Sequence, residues 1–289
     1  MAKKRTVEEK SIDHASQQLL IRADSLGLDT AFTRADAMPA CPIGAGASGL
    51  CCKNCFMGPC RITKEGQVGV CGATAATIAA RNMARAIAAG SAAHSDHGRD
   101  VAFTLLATAE GEAQGYQIRD DAKLRTVAAH YGIPTQGKST AALAKEVALK
   151  AITEFGQQKG ELAFVKRAPK KRQELWRKYG IVPRGIDREV VDVLHRTHMG
   201  DDQQSEHILK GALRCALADG WGGSMIATEL SDVLFGTPAP KVGQVNLGVL
   251  KDDEVNIVLH GHEPTLSEMI VAASTEPELI EYAKSKGAK

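Results

Sequence analysis

The sequence predicts a mainly α-helical domain over residues 1–240, built around a cluster of cysteines, followed by the start of an open α/β domain over 241–289. Three observations predict it. Amphipathic runs with helical period recur near 7–26, 118–131, 139–157, 170–178, 185–197 and 202–219. Five of the seven cysteines crowd into one stretch, "CCKNCFMGPCRITKEGQVGVC" at 51–71. Near 240 the texture changes to short β-branched runs, "VGQVNLGVL" and "EVNIVLHGHEPTLSEMIVAAS".

Length and charge narrow the classes. A chain of 289 residues is one large or two ordinary domains, and it can bury a core without covalent staples. The start, "MAKKRTVEEK", has basic residues with no apolar stretch behind them, and no window of about 18 uncharged apolar residues follows. A cytoplasmic protein with no membrane insertion is the expectation. The formal charge of +2, from 36 basic and 34 acidic residues, gives no electrostatic reason to expect nucleic acid or a lipid surface. The one basic run, "VKRAPKKRQELWRK", reads as the solvated start of a helix rather than a docking patch.

In a reducing compartment, clustered thiols are metal ligands or catalytic groups more often than core fillers. The spacing is Cys52-x2-Cys55-x4-Cys60-x10-Cys71. Zinc sites pair two C-x2-4-C knuckles across an insert, and here the second knuckle is missing. The C-x2-C-x2-C-x3-C run of bacterial ferredoxins does not fit either. Spacing therefore favours a four-iron cluster, with zinc the remaining alternative. The glycines of "MGP" and "EGQVGV" let backbone fold tightly around such a group. Adjacent side chains on an extended backbone point to opposite sides, so Cys51 faces something other than the site of Cys52. If Cys41 joins Cys51, two thiols per chain would need two more from a symmetry mate on a two-fold axis. The other reading makes Cys41 and Cys51 ordinary thiols.

The alanine-rich stretch after Cys71, "GATAATIAARNMARAIAAGSAAHSDHGRDVAFTLLATAEG", predicts one or two close-packed helices. His94 and His97, three apart, share a helix face there, as a proton relay, a metal site or a solvated pair. Asp96 and Asp100 are the nearby carboxylates that could orient either imidazole. His195, His198, His207 and Cys215 read as core or surface residues. "GWGGS" reads as a flexible glycine turn and not a phosphate loop, since no Lys-Ser/Thr follows it. Past 240 the pattern is strand, loop and helix, with Pro264 near the helix start. Ligand sites in open sheets lie at the carboxyl ends of strands, which is where His260 and His262 fall. Either imidazole could ligate iron or nickel there, or serve as a loop histidine.

Several motifs together carry a resemblance: "GLCCKNCFMGPCRI", "GVCGA", "ARN", "AAHSDHGRD", "HRTHMG", "ALADGWGGSMIATELSDVLFGTPAP" and "VLHGHEPTLSEMI". In this order, through nearly the whole chain, they resemble the amino-terminal part of the catalytic subunit of nickel-dependent anaerobic carbon monoxide dehydrogenases. The resemblance implies a helical domain followed by two Rossmann-like domains, so that 241–289 would be the start of the first of these. It implies that Cys52, Cys55, Cys60 and Cys71 hold a 4Fe-4S cluster within the subunit, and that Cys41 and Cys51 supply half of a cluster shared across a homodimer. His262 would bind the iron outside the cubane of a Ni-Fe-S cluster. His94 would stand beside that centre as the catalytic proton-moving histidine, with His97 a further proton-transfer residue. The implied oxidoreductase activity converts CO and H2O to CO2, two protons and two electrons. These would leave through Fe-S clusters to a ferredoxin-like acceptor, with an acetyl-CoA synthase subunit as a further partner.

The chain departs from the family in places. Nine residues separate Cys41 from Cys51 where seven are usual, and Asp100 and Phe103 stand where two further imidazoles continue the histidine face. A proton path along that face would use Asp100 or water. The cysteines that complete the nickel centre, and a lysine beside it, lie in the family beyond residue 289, so the resemblance implies a truncated chain whose activity belongs to the longer one. The alternatives are a stand-alone Fe-S electron-transfer or dimerisation module, and a relative of the hybrid-cluster, hydroxylamine-reducing group.

Overall fold

The computed structural model describes residues 5–37, 44–46, 48–239, 250–259 and 264–289. Contacts divide it into two units, Met1–Pro238 and Ala239–Lys289.

The first unit opens with three short helices: α1 (Val7–Lys10), α2 (His14–Ser25) and α3 (Ala31–Ala37). The run expected near 7–26 is thus two helices. Ser11 is extended, at φ −152° and ψ 140°, and the Asp13 carboxylate accepts the Ser16 amide as a fresh N-cap. Strands β1 (Cys51–Cys52) and β2 (Cys60–Arg61) pair antiparallel with Cys52 opposite Cys60.

Helix α4 (Ala75–Glu110) runs unbroken for 36 residues, from its Thr74 cap to Gly111 at φ 78°. Its buried stripe is Ile78, Arg81, Ala84, Ala88, Ser91, Ser95, Gly98, Ala102 and Leu105, spaced three or four apart as one helical face requires. Most of these are small. Six further helices follow: α5 (Asp121–Tyr131), α6 (Thr140–Gly156), α7 (Lys170–Tyr179), α8 (Ile186–Arg196), α9 (Ser205–Ala218) and α10 (Ser224–Phe235). Of these, α6, α8, α9 and α10 pack directly on α4. The main core joins Leu105, Leu124, Val147, Phe155, Phe164 and Leu230. The basic run lies on the turn Ala163–Arg167 and the exposed start of α7.

"GWGGS" is not a flexible turn. Asp219–Gly223 form a π-helical turn that carries α9 directly into α10. Its glycines serve close approach: a Cβ on Gly98 would lie 2.3 Å from the Gly223 carbonyl oxygen, and one on Gly223 would lie 2.5 Å from Ser95 Cα. Backbone meets backbone there, so the helices hold the glycines rigid.

In the second unit the expected first strand falls almost wholly on 240–249, outside the described residues. The strand expected over 254–259 does not form: 250–259 contain no strand, because no ladder partner lies beside them among the described residues. The helical pattern is realised as α11 (Pro264–Thr275) and α12 (Pro277–Ser285), the latter with Pro277 in its first turn. No described residue of this unit is buried. No helix among the described residues is long and apolar enough to cross a membrane.

Candidate metal centre

Four thiols meet on one cavity. The β1–β2 hairpin sets Cys52 opposite Cys60, the tight loop between them carries Cys55, and the loop returning toward α4 brings Cys71 back; all four line a single concavity with Asn54, Gly58 and Arg81. Gly58 makes the tight loop possible, since a Cβ there would stand 3.0 Å from both the Cys52 carbonyl and the Cys60 amide. The thiols ring the space without converging: among the described residues no three Cys, His, Asp or Glu side chains meet as the ligands of one ion would. Cys51 stands outside the lining, held by the "ARN" motif, whose Asn82 amide donates to the Gly49 and Cys51 carbonyls at 2.8 and 3.1 Å.

The surroundings favour charge on sulfur. The Val70 N–H donates to Cys60 Sγ at 3.4 Å, and Arg81 Nη1 donates to Cys71 Sγ at 3.6 Å. Gln203 donates to the Cys71 carbonyl at 2.9 Å and lies 3.9 Å from its sulfur. Burial pushes the Cys71 thiol up. The Arg81 guanidinium, the Ala73 amide, Gln203 and the Gly200 backbone overcome it and bring the thiol down to about 7. Arg81 is 1% exposed and, among the described residues, pairs with no carboxylate; its Nη2 donates to the Asp202 carbonyl at 2.9 Å, and its Nε meets no partner there. Asn54 Nδ2 is likewise buried without a partner. Four thiols, a buried cation and idle donors on one wall fit an anionic, thiolate-ligated Fe-S cluster.

A second constellation lies further along α4. His94 Nδ1 is 3.1 Å from Asp219 Oδ2, and Asp219 Oδ1 accepts the Ser224 hydroxyl at 2.9 Å. The imidazole is 55% exposed and the carboxylate 23%. The expected orienting residues do not serve: Asp96 pairs with Arg99, whose guanidinium also grips Asp187, and Asp100 is exposed. The partner comes instead from the π-helical turn, a departure that recurs at functional sites. His97 and Phe103 are exposed, as are His195, His198 and His207, while Cys215 is fully buried beneath α4 with its thiol pushed up to about 11. Cys41, His260 and His262 lie outside the described residues. Sequence reasoning missed Arg81, Asn54, Gln203 and Asp219 as neighbours of these groups. Only Arg81 carried a signal, as a charge inside a stripe of small apolar residues.

A helical unit with four thiols on one cavity, and a histidine on its longest helix paired with an aspartate of the π-helical turn, defines a recognisable class. Residues 50–289 match the Prismane/CO dehydrogenase family, and the chain belongs to it. Among curated relatives it is 54% identical to carbon monoxide dehydrogenase 1 of Methanosarcina mazei over 99% of this chain and 46% of that protein. Among solved structures it is similar to the Ni-free carbon monoxide dehydrogenase of Thermococcus sp. AM4, at TM-score 0.76 and 46% identity over 99% of this chain and 46% of that one. It is also similar to an acetyl-CoA synthase/carbon monoxide dehydrogenase described with NiZn[Fe4S4] and NiNi[Fe4S4] clusters in its alpha subunits, at TM-score 0.75 and 42% identity over 99% and 42%. The chain thus spans about half the length of the relatives it matches.

Proposed function

We propose that this chain is the amino-terminal part of a cytoplasmic, anaerobic carbon monoxide dehydrogenase, and that its helical unit carries the electron-relay end of the reaction. The observation that carries the reading is the meeting of Cys52, Cys55, Cys60 and Cys71 on one cavity beside a buried, carboxylate-free Arg81. A 4Fe-4S cluster bound there would supply one-electron transfer; the Ni-Fe-S cluster of the longer protein would supply the site at which CO is oxidised.

The chain's own residues do the rest. Val70 directs its N–H at the Cys60 sulfur, and Arg81 and Gln203 direct donors at the Cys71 sulfur. Asp219 can only accept, so His94 keeps its hydrogen on Nδ1 and presents Nε2 as a base. A proton taken from water at Nε2 gives an imidazolium that Asp219 stabilises, and the half-exposed ring can pass it to solvent. His97, one turn on, is the next acceptor along the exposed side. Cys51, outside the cavity, fits a role with Cys41 in a cluster shared across a homodimer, and His262 fits the iron of the Ni-Fe-S centre. A ferredoxin-like acceptor and an acetyl-CoA synthase subunit are the partners in this reading. Residues 241–289 would begin a Rossmann-like domain, whose neighbouring strands would cover the apolar side chains that Val255, Ile257 and Val258 expose.

The test is anaerobic purification of the full-length protein, with iron and nickel content and CO-dependent reduction of a viologen dye measured together. Nickel, iron and CO-dependent reduction are expected, with iron lost in the Cys60→Ser variant. Iron without nickel, and no response to CO, would leave a simple electron-transfer protein.

A further inference from the structure

Arg81 heads the fully buried side chains by size, at 1% exposure. A guanidinium keeps its proton in proteins, so a full positive charge is enclosed here. Its neighbours do not neutralise it. Nη2 meets only the Asp202 carbonyl at 2.9 Å, Nη1 meets Cys71 Sγ at 3.6 Å, and Nε has no partner. The partly buried cations of this unit are placed differently: Arg214 reaches both Glu189 and Asp192, and Lys123 reaches both Glu229 and Asp232. A buried charge without a counter-charge is costly, and so is a buried donor without an acceptor. Asn54 Nδ2 is a second such donor on the same cavity. Both deficits are met at once by an anionic occupant of the thiol-lined space.

We propose that Arg81 is the counter-charge of the four-iron cluster held by Cys52, Cys55, Cys60 and Cys71, and that it raises that cluster's reduction potential, with Asn54 donating to the same group. The inference rests on the reading of those four cysteines as cluster ligands. Reduction adds one negative charge to a group already anionic, and a fixed positive charge in a low-dielectric wall stabilises the reduced form more than the oxidised one. Arg81 therefore sets how readily the cluster accepts an electron, without itself gaining or losing one.

The experiment is an anaerobic dithionite titration of the full-length protein, followed by electron paramagnetic resonance, on the parent, Arg81→Lys and Arg81→Gln. The signal lost in Cys60→Ser identifies this cluster among the others. The midpoint is expected to move to lower potential in R81Q and to stay near the parent value in R81K. R81Q with full iron and an unmoved midpoint would overturn the proposal, as would R81K and R81Q shifting alike. If R81Q fails to load, R81K decides: a loaded cluster with a near-parent midpoint upholds the role of charge, and loss of the cluster in both variants overturns it. A parent protein with no Cys60-dependent signal would instead overturn the cluster assignment on which the inference stands.

Discussion

At the scale of single residues, two carboxylates make opposite demands. Glu154 on α6 is 1% exposed; its Oε1 accepts the Ala163 amide at 2.8 Å and its Oε2 has no partner. Burial holds its pKa above the ordinary 4.5 against the pull of that amide. The native state therefore binds this proton more tightly than the unfolded chain. Its contribution to stability is complete below about pH 4.5 and is lost as pH rises through the raised native value. Glu154→Gln should melt with the parent near pH 4 and at a higher temperature than the parent at pH 8, in a series of thermal scans. Asp219 matters by orientation. In the full-length protein, Asp219→Asn should lower the proposed CO oxidation by about a hundredfold or more while iron and nickel content stay unchanged; a rate within twofold of the parent would show that the pairing does not serve proton transfer. The thiol-lined cavity was legible in the sequence because four cysteines within 20 residues are easily carried to one wall. Asp219 was not, since 125 positions separate it from His94 and only the packing of α4 on the π-helical turn joins them.

At the scale of elements, the fold rests on small residues where helices touch. Gly98→Ala would drive a methyl to 2.3 Å from the Gly223 carbonyl, which neither backbone can vacate cheaply. A loss of about 2 kcal/mol or more is expected in chemical denaturation, whereas Gly90→Ala, inside the same helix with nothing within 4 Å of the added methyl, should gain about 0.5–1 kcal/mol. The helices from 118 to 219 could be read directly, because each has its apolar period, and two of the five begin at a side chain made for capping, Asp120 for α5 and Ser139 for α6. The alanine-rich stretch gave helix without saying whether one or two, since alanine allows both and only the continuous buried stripe makes it one. Residues 254–259 form no ladder among the described residues for a reason of the same kind. β-Branched residues favour a strand, but a strand exists only beside another.

At the scale of the whole molecule, the thiol cavity and the helical core draw on different sources of stability. The core closes on Leu105, Phe155 and Leu230, whereas the cysteine loops close on a small cluster of Cys52, Ile62, Ala73 and Ile78, a few backbone hydrogen bonds and two short strands. Stripping iron with a chelator should therefore release amide protection across 48–73 and leave α4, α6 and α10 protected, as read by hydrogen exchange. Equal loss throughout would mean that the metal holds the entire unit together. The two constellations share one part, the unbroken α4. Arg81 and His94 stand 13 positions apart on it, about 20 Å along the axis. The helix acts as a gauge block between the place where electrons would rest and the place where protons would leave. One residue inserted between them would turn His94 through about 100° and away from Asp219, while four would restore its face but set it about 6 Å too far. The interval is a stored length, and substitutions can pass through it unnoticed where an insertion cannot.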